Sequence, residues 1–155
     1  MDPAHAPRFD RQERFAPLGP GGQRRLARAR VLIVGCGALG GSLAQTLTRC
    51  GVGTLVLVDR DVVELTNLPR QVLFEQRHLG RPKVEAARET LERVGGPTRI
   101  EAHAAHDDAD NLEELAEGCE LVLDGTDNLA TRYLVNDLCV ESGLAWVYGG
   151  VVGAS

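Results

Sequence analysis

Aromatic residues are scarce in this 155-residue chain, where one Trp, two Tyr and three Phe make up 4% of the composition. That leaves little for an aromatic-rich sandwich core or a platform that stacks nucleic-acid bases. Positive charge is short as well. With 17 Lys and Arg against 22 Asp and Glu, the net charge of −5 offers no broad basic field, and no nucleic-acid partner is expected. Long apolar runs are missing: those near residues 31–34 and 55–58 are four residues each. Both fall far short of the roughly 20 residues a spanning helix needs, so no membrane association is expected. No apolar signal core follows the N-terminal charges, and a cytoplasmic, reducing location is the default. Cys36, Cys50, Cys119 and Cys139 form no Cys-x-x-Cys pair and have no His at zinc-finger spacing, so they read as small buried hydrophobes rather than metal ligands. His5, His78, His103 and His106 likewise show no partner spacing and read as surface or loop residues.

What is present is a 43% hydrophobic content and 18 glycines, a balance suited to one soluble domain with tight turns and close helix packing. Residues 1–22 carry Pro, Gly and alternating charge, and read as an extended arm outside the core with one short helix near residues 11–16. A second short helix is expected over residues 23–29. The run Val31-Leu32-Ile33-Val34 predicts a strand buried on both faces, followed by Leu39, Leu43, Leu47 and Cys50 at helical spacing. Leu55-Val56-Leu57-Val58 supplies the next strand and closes a βαβ unit of about 30 residues.

Residues 59–82 are polar and irregular, too long for a plain connector, and are therefore a place to expect function. A helix from Lys83, a strand near residues 98–103 and an acidic helix over residues 111–117 follow. Leu121-Val122-Leu123, a stripe of Ala130, Leu134 and Leu138, and a strand at residues 145–148 complete the alternation. The expected fold is α/β: a doubly wound, mostly parallel, Rossmann-like sheet with helices on both faces.

Gly35-Cys36-Gly37-Ala38-Leu39-Gly40 follows a buried strand and opens a helix, the context in which a dinucleotide fingerprint carries meaning. Gly35 permits the tight turn, Gly37 lets a ligand approach the backbone, and Gly40 allows helix and strand to touch. The helix N-terminus offers free N–H groups to an anion. Asp59 ends the second strand, 19 positions after Gly40, where a carboxylate meets the two ribose hydroxyls. To this point an NAD-dependent oxidoreductase fits equally well. Asn67, Arg70, Gln71, Arg81 and Lys83 tilt the balance, because so much cationic character beyond the strand ends matches a triphosphate better than a nicotinamide. Asp124-Gly125-Thr126-Asp127-Asn128 then brings two acids near a helix N-terminus, an arrangement that a divalent cation between them would explain. Asp127 is the metal candidate, since Mg²⁺ is held by one or two carboxylates plus phosphate oxygens.

With these residues in place the chain resembles the ThiF/MoeB/HesA family, related to the adenylation domains of ubiquitin-activating enzymes. The resemblance rests on Arg8-Phe9-Asp10-Arg11-Gln12, the glycine turn, Asp59, Thr66-Asn67-Leu68-Pro69-Arg70-Gln71, Gly80-Arg81-Pro82-Lys83-Val84 and Thr126-Asp127-Asn128, in that order. It implies that residues 23–155 form an ATP-binding adenylation domain. Gly35, Gly37, Ala38, Gly40, Thr66, Gln71 and Asn128 would border the nucleotide, and Asp59 would hold the ribose. Asn67, Arg70 and Lys83 would handle the phosphates, Asp127 would ligand Mg²⁺, and Arg11 would reach across the two-fold axis of a homodimer. Ala38 departs from the glycine common in the family, a methyl group to which a backbone contact is indifferent.

The implied reaction is adenylation of the C-terminal glycine carboxylate of a ubiquitin-like sulfur-carrier protein ending in Gly-Gly, using ATP and Mg²⁺ and releasing pyrophosphate. Family members continue past the point where this chain stops, with further strands and Cys-x-x-Cys pairs for structural zinc. The sequence is therefore expected to be truncated, with zinc and the carrier-gripping edge in the absent half. A non-catalytic nucleotide-binding fragment stays open beside the enzyme and the oxidoreductase.

Overall fold

The computed structural model describes residues 7–106 and 108–150. Five parallel strands form the sheet: β1 (Arg30–Val34), β2 (Thr54–Val58), β3 (Arg99–His103), β4 (Leu121–Asp124) and β5 (Ala145–Tyr148). Their spatial order is β3-β2-β1-β4-β5. The chain winds outward from β1 to one edge, returns, and winds to the other, so the order reverses between β1 and β4. Ligands of open α/β sheets bind at such a reversal, beyond the carboxyl ends of the strands.

Six helices accompany the strands in the described residues: α1 (Asp10–Glu13), α2 (Gly19–Leu26), α3 (Ala38–Cys50), α4 (Lys83–Val94), α5 (Ala109–Ala116) and α6 (Leu129–Ser142). Strand side chains alternate between two cores, as a period of two requires. Val31, Ile33, Leu55 and Leu57 pack with Ala44 of α3 and Val84, Ala87 and Leu91 of α4. Leu32, Val34, Val56 and Val58 pack with Leu112 of α5 and Val135 and Cys139 of α6. All eight strand residues are at most 4% exposed, which explains why both strands read as unbroken apolar runs. At about 2 kcal/mol for each buried aliphatic side chain, these runs hold the sheet. The doubly wound α/β fold is as the sequence indicates.

Three expectations need correction. The stretch before residue 22 is not outside the core, because Phe9 is buried at 1% exposure and α2 runs continuously across residue 22. Gln12 donates to Gln23 Oε1 (2.7 Å), and both amides donate to the Cys50 carbonyl, which ties this stretch to the far end of α3. The helix expected over residues 23–29 starts earlier, at Gly19, with Pro20 in its first turn where a missing N–H costs nothing.

The third correction is His78, expected as a surface or loop residue: it does lie in the irregular segment but is fully buried. Its Nδ1 accepts from the Glu75 N–H (3.0 Å) and stabilises the 3-10 turn Gln76–His78. His103, likewise, is no surface or loop residue but the half-buried last residue of β3, whereas His106 is exposed and His5 is outside the described residues. Residues 59–82 are irregular, as expected. They are closed at the base by an antiparallel bridge between Val62 and Pro82 and anchored by buried Leu73 and Phe74. Among the described residues no helix is long and apolar enough to cross a membrane.

Candidate functional site

Gly35 leaves β1 with φ +86°, a left-handed conformation that glycine adopts without strain, and its N–H donates to the Val58 carbonyl (2.8 Å). The chain turns at once into α3, whose N-cap residue, Gly37, supplies no side-chain cap. The helix lies so close to the turn that a Cβ at Gly40 would sit 1.8 Å from the Gly35 carbonyl oxygen. Gly40 thus serves packing from beneath, while Gly35, Gly37 and Ala38 face the cavity above. Cys36 points away from it, into the core. Burial, and then nearby Asp59, push its thiol well above the usual range, so it is no nucleophile.

Asp59, one residue beyond β2, accepts the Cys36 N–H at Oδ2 (2.7 Å) and the Asp61 N–H at Oδ1 (2.8 Å). Burial raises its pKa, against the lowering by these two bonds and by Lys83. Lys83, the first residue of α4, is only 7% exposed and donates from Nζ to Asp61 Oδ2 at 2.8 Å. A buried ammonium needs such a carboxylate, and Asp61 went unnoticed in the sequence.

The irregular segment delivers its groups unevenly. Asn67 is buried, and its Oδ1 accepts the Glu64 N–H as half of a capping box around the 3-10 turn Leu65–Asn67. Arg70 is exposed and donates to the Thr66 carbonyl (2.7 Å), while Gln71 is buried at 4% exposure. Both line the cavity with Asn67. The Gln71 Oε1 is buried without a hydrogen-bond partner, and its Nε2 would be 3.8 Å from a Cβ on Gly37. An orphaned amide against the glycine turn is what a site built for a polar ligand shows. Thr66 is exposed outside the cavity wall, its hydroxyl on Glu64. Arg81 also turns away, paired with Glu89 at 2.7 Å, so its expected part in the cationic group is corrected.

The turn after β4 separates two carboxylates that the sequence suggested would share a cation. Asp124 is fully buried: its Oδ1 accepts from the Thr126 N–H and hydroxyl (2.8 and 2.7 Å), and its Oδ2 from Arg132 Nε (2.9 Å). With three donors on it and no exposed surface, Asp124 is engaged within the protein rather than sharing an ion with exposed Asp127. Asp127 is exposed in the cavity wall, and Asn128 caps α6 through the Ala130 N–H (2.9 Å). The pairing with Arg132 was not legible, because it forms only once α6 packs on the end of β4.

Gly35, Gly37, Ala38, Asp59, Asn67, Arg70, Gln71, Lys83, Asp127 and Asn128 therefore border one cavity of about 1330 Å³. That exceeds the roughly 300–1,000 Å³ of a pocket for one small ligand. Among the described residues no cluster of three or more His, Cys, Asp or Glu could hold a metal by itself. One exposed carboxylate in the wall of this cavity, Asp127, fits Mg²⁺, which takes few protein ligands and completes its shell with phosphate and water. Arg11 is exposed and distant from this cavity: the next residue, Gln12, is fixed to Cys50 at the last turn of α3, ~20 Å of helix away from the glycine turn.

A family model described as the ThiF family matches residues 9–155. Among curated relatives, the sulfur carrier protein ThiS adenylyltransferase of Bacillus subtilis is 40% identical over 149 residues, covering 95% of this chain and 44% of the relative. The adenylyltransferase and sulfurtransferase MOCS3 of Mus musculus is 46% identical over 136 residues, 88% of this chain and 30% of that protein. The chain thus spans less than half the length of either. Among solved structures, TcdA (CsdL) matches with a TM-score of 0.87 at 26% identity, over 96% of this chain and 58% of that one. MccB of E. coli with ATP matches at 0.77 and 28% identity, over 83% and 38%.

Proposed function

The chain belongs to the ThiF family, and from that premise we propose that it forms the nucleotide-binding part of an ATP-dependent adenylyltransferase. Its substrate is the C-terminal glycine carboxylate of a ubiquitin-like sulfur-carrier protein ending in Gly-Gly. A carboxylate oxygen attacks the α-phosphorus of ATP, the bond from that phosphorus to the bridging oxygen breaks, and pyrophosphate leaves with the electron pair. The product is an acyl-adenylate. No protein nucleophile is required, so the chain's work is alignment and neutralisation of moving charge.

Asp59 accepts from the ribose hydroxyls, and the glycine turn with the start of α3 receives the phosphates. Lys83 and Arg70 draw negative charge onto the departing pyrophosphate, with Asn67 and Gln71 orienting it. Asp127 is the residue that would hold Mg²⁺, which when bound supplies further neutralisation of the triphosphate. Arg11 acts on the site of a second copy in a cytoplasmic homodimer, a reading supported by its distance from the cavity of its own chain. The observation that carries the proposal is the meeting of Asp59, Arg70, Lys83 and Asp127 at one cavity beyond β1 and β4.

Exchange of labelled pyrophosphate into ATP tests it. Exchange that needs both Mg²⁺ and a carrier ending in Gly-Gly is expected. NAD binding with no exchange would point to an oxidoreductase instead, and ATP binding with no exchange to a non-catalytic fragment.

A further inference from the structure

Arg132, in the first turn of α6, joins three segments of the cavity wall. Its Nε donates to Asp124 at the end of β4, and its Nη2 donates to the carbonyls of Thr126 and Gly149, each at 3.1 Å. Its guanidinium carbon lies 5.0 Å from the centre of the Tyr148 ring at the end of β5. The β4–α6 turn is held on its other side by the glycine turn. The Gly125 N–H donates to the Val34 carbonyl (2.9 Å), and a Cβ at Gly125 would be 2.7 Å from Gly40 Cα. Asp127 stands exposed between these two anchors.

The chemistry of the anchor is specific. Asp124 is fully buried, and a lone carboxylate there would be costly, so the guanidinium both neutralises it and ties it down. A planar fork can hold one carboxylate and two carbonyls at once; a lysine ammonium keeps the charge without the geometry. We propose that Arg132 is a positioning residue: through Asp124 and Thr126 it sets the turn that presents Asp127, so that magnesium-assisted nucleotide binding depends on it. This rests on the adenylation reading given above.

The test is calorimetric titration of ATP, with and without Mg²⁺, into wild type, Asp127→Ala, Arg132→Lys and Thr126→Val. Wild type gains affinity from Mg²⁺ and Asp127→Ala loses that gain. Arg132→Lys is expected to keep Mg²⁺-free affinity within about 3-fold of wild type while the Mg²⁺ gain falls about 10-fold, as loss of a group supporting a metal ligand does. Thr126→Val, which deletes only the hydroxyl bond to Asp124, reduces the gain by a smaller factor.

An Arg132→Lys protein that keeps the wild-type gain, or loses affinity equally with and without Mg²⁺, overturns the positioning role. If that variant fails to fold, Thr126→Val decides, and an unchanged gain there overturns it too. Should wild type ignore Mg²⁺, or Asp127→Ala retain the gain, the adenylation reading falls together with this one. With those two as expected, the Arg132 result bears on the positioning role alone.

Discussion

The cavity is bounded by two strand-to-helix turns that do opposite things. Between β1 and α3 the chain presents backbone, from which side chains have been removed so that helix, strand and ligand can approach. Between β4 and α6 it presents side chains, with one acid buried as a structural anchor and another, three residues on, left exposed. The two turns touch where Gly125 meets Gly40, so neither can move alone. At the reversal of this sheet, one turn thus allows close approach and the other carries charge.

Gly40→Ala should have the largest effect, because its Cβ would lie 1.8 Å from a carbonyl oxygen and the helix would have to back away. A loss of ~3 kcal/mol or more is expected in urea denaturation. Gly125→Ala crowds Gly40 itself and the same Gly35 oxygen, so the double variant should cost less than the sum of the singles.

Next comes the division between the two acids. Asp127→Ala should cut pyrophosphate exchange about 100-fold, worth ~3 kcal/mol, with the unfolding midpoint unchanged. Asp124→Ala should instead lower the unfolding midpoint, since Arg132 and Thr126 lose their partner. If both variants lost stability equally, the contrast between them would be wrong.

A subtler probe is pH. In the proposed site ribose hydroxyls would donate to an ionised Asp59, and burial raises the pKa of that carboxyl. Its share of nucleotide affinity is therefore present at neutral pH and lost as pH falls through the raised value, starting above the ~3.9 of an ordinary Asp. For the unliganded fold the sign reverses, because the stability present below the ordinary value is lost as pH rises toward the raised one. Calorimetry of ATP binding from pH 7 downward should show the loss in wild type and a flat, weaker response in Asp59→Asn.

The smallest effect should come from Glu101→Gln on β3, remote from both turns. Arg30 donates to both Glu101 oxygens (2.9 and 2.7 Å) and holds its pKa below the usual range. The change should cost ~1 kcal/mol at neutral pH with nucleotide affinity intact. That difference should vanish as pH drops through the lowered pKa and wild-type Glu101 takes up its proton.

The elements that could be read from sequence are those whose cause is local. Unbroken apolar runs gave β1 and β2, helical spacing gave α3 and α4, and the glycine pattern located the first turn because each glycine answers a short-range constraint. What could not be read depends on partners distant in the chain. The burial of Phe9 and His78, the turning of Arg81 toward Glu89, and the pairing of Asp124 with Arg132 follow from how packed elements meet. Asp124 and Asp127 look alike in sequence, and only the folded turn makes one an anchor and the other a candidate ligand.

The most direct measurement is titration of the chain with MgATP and, separately, with NAD, repeated on Lys83→Met and Asp127→Ala. MgATP is expected to bind more tightly than NAD, and each substitution to weaken it about 10-fold or more, as removal of a charge-assisted contact does. Tight NAD binding, with MgATP affinity indifferent to both substitutions, would contradict the adenylation reading.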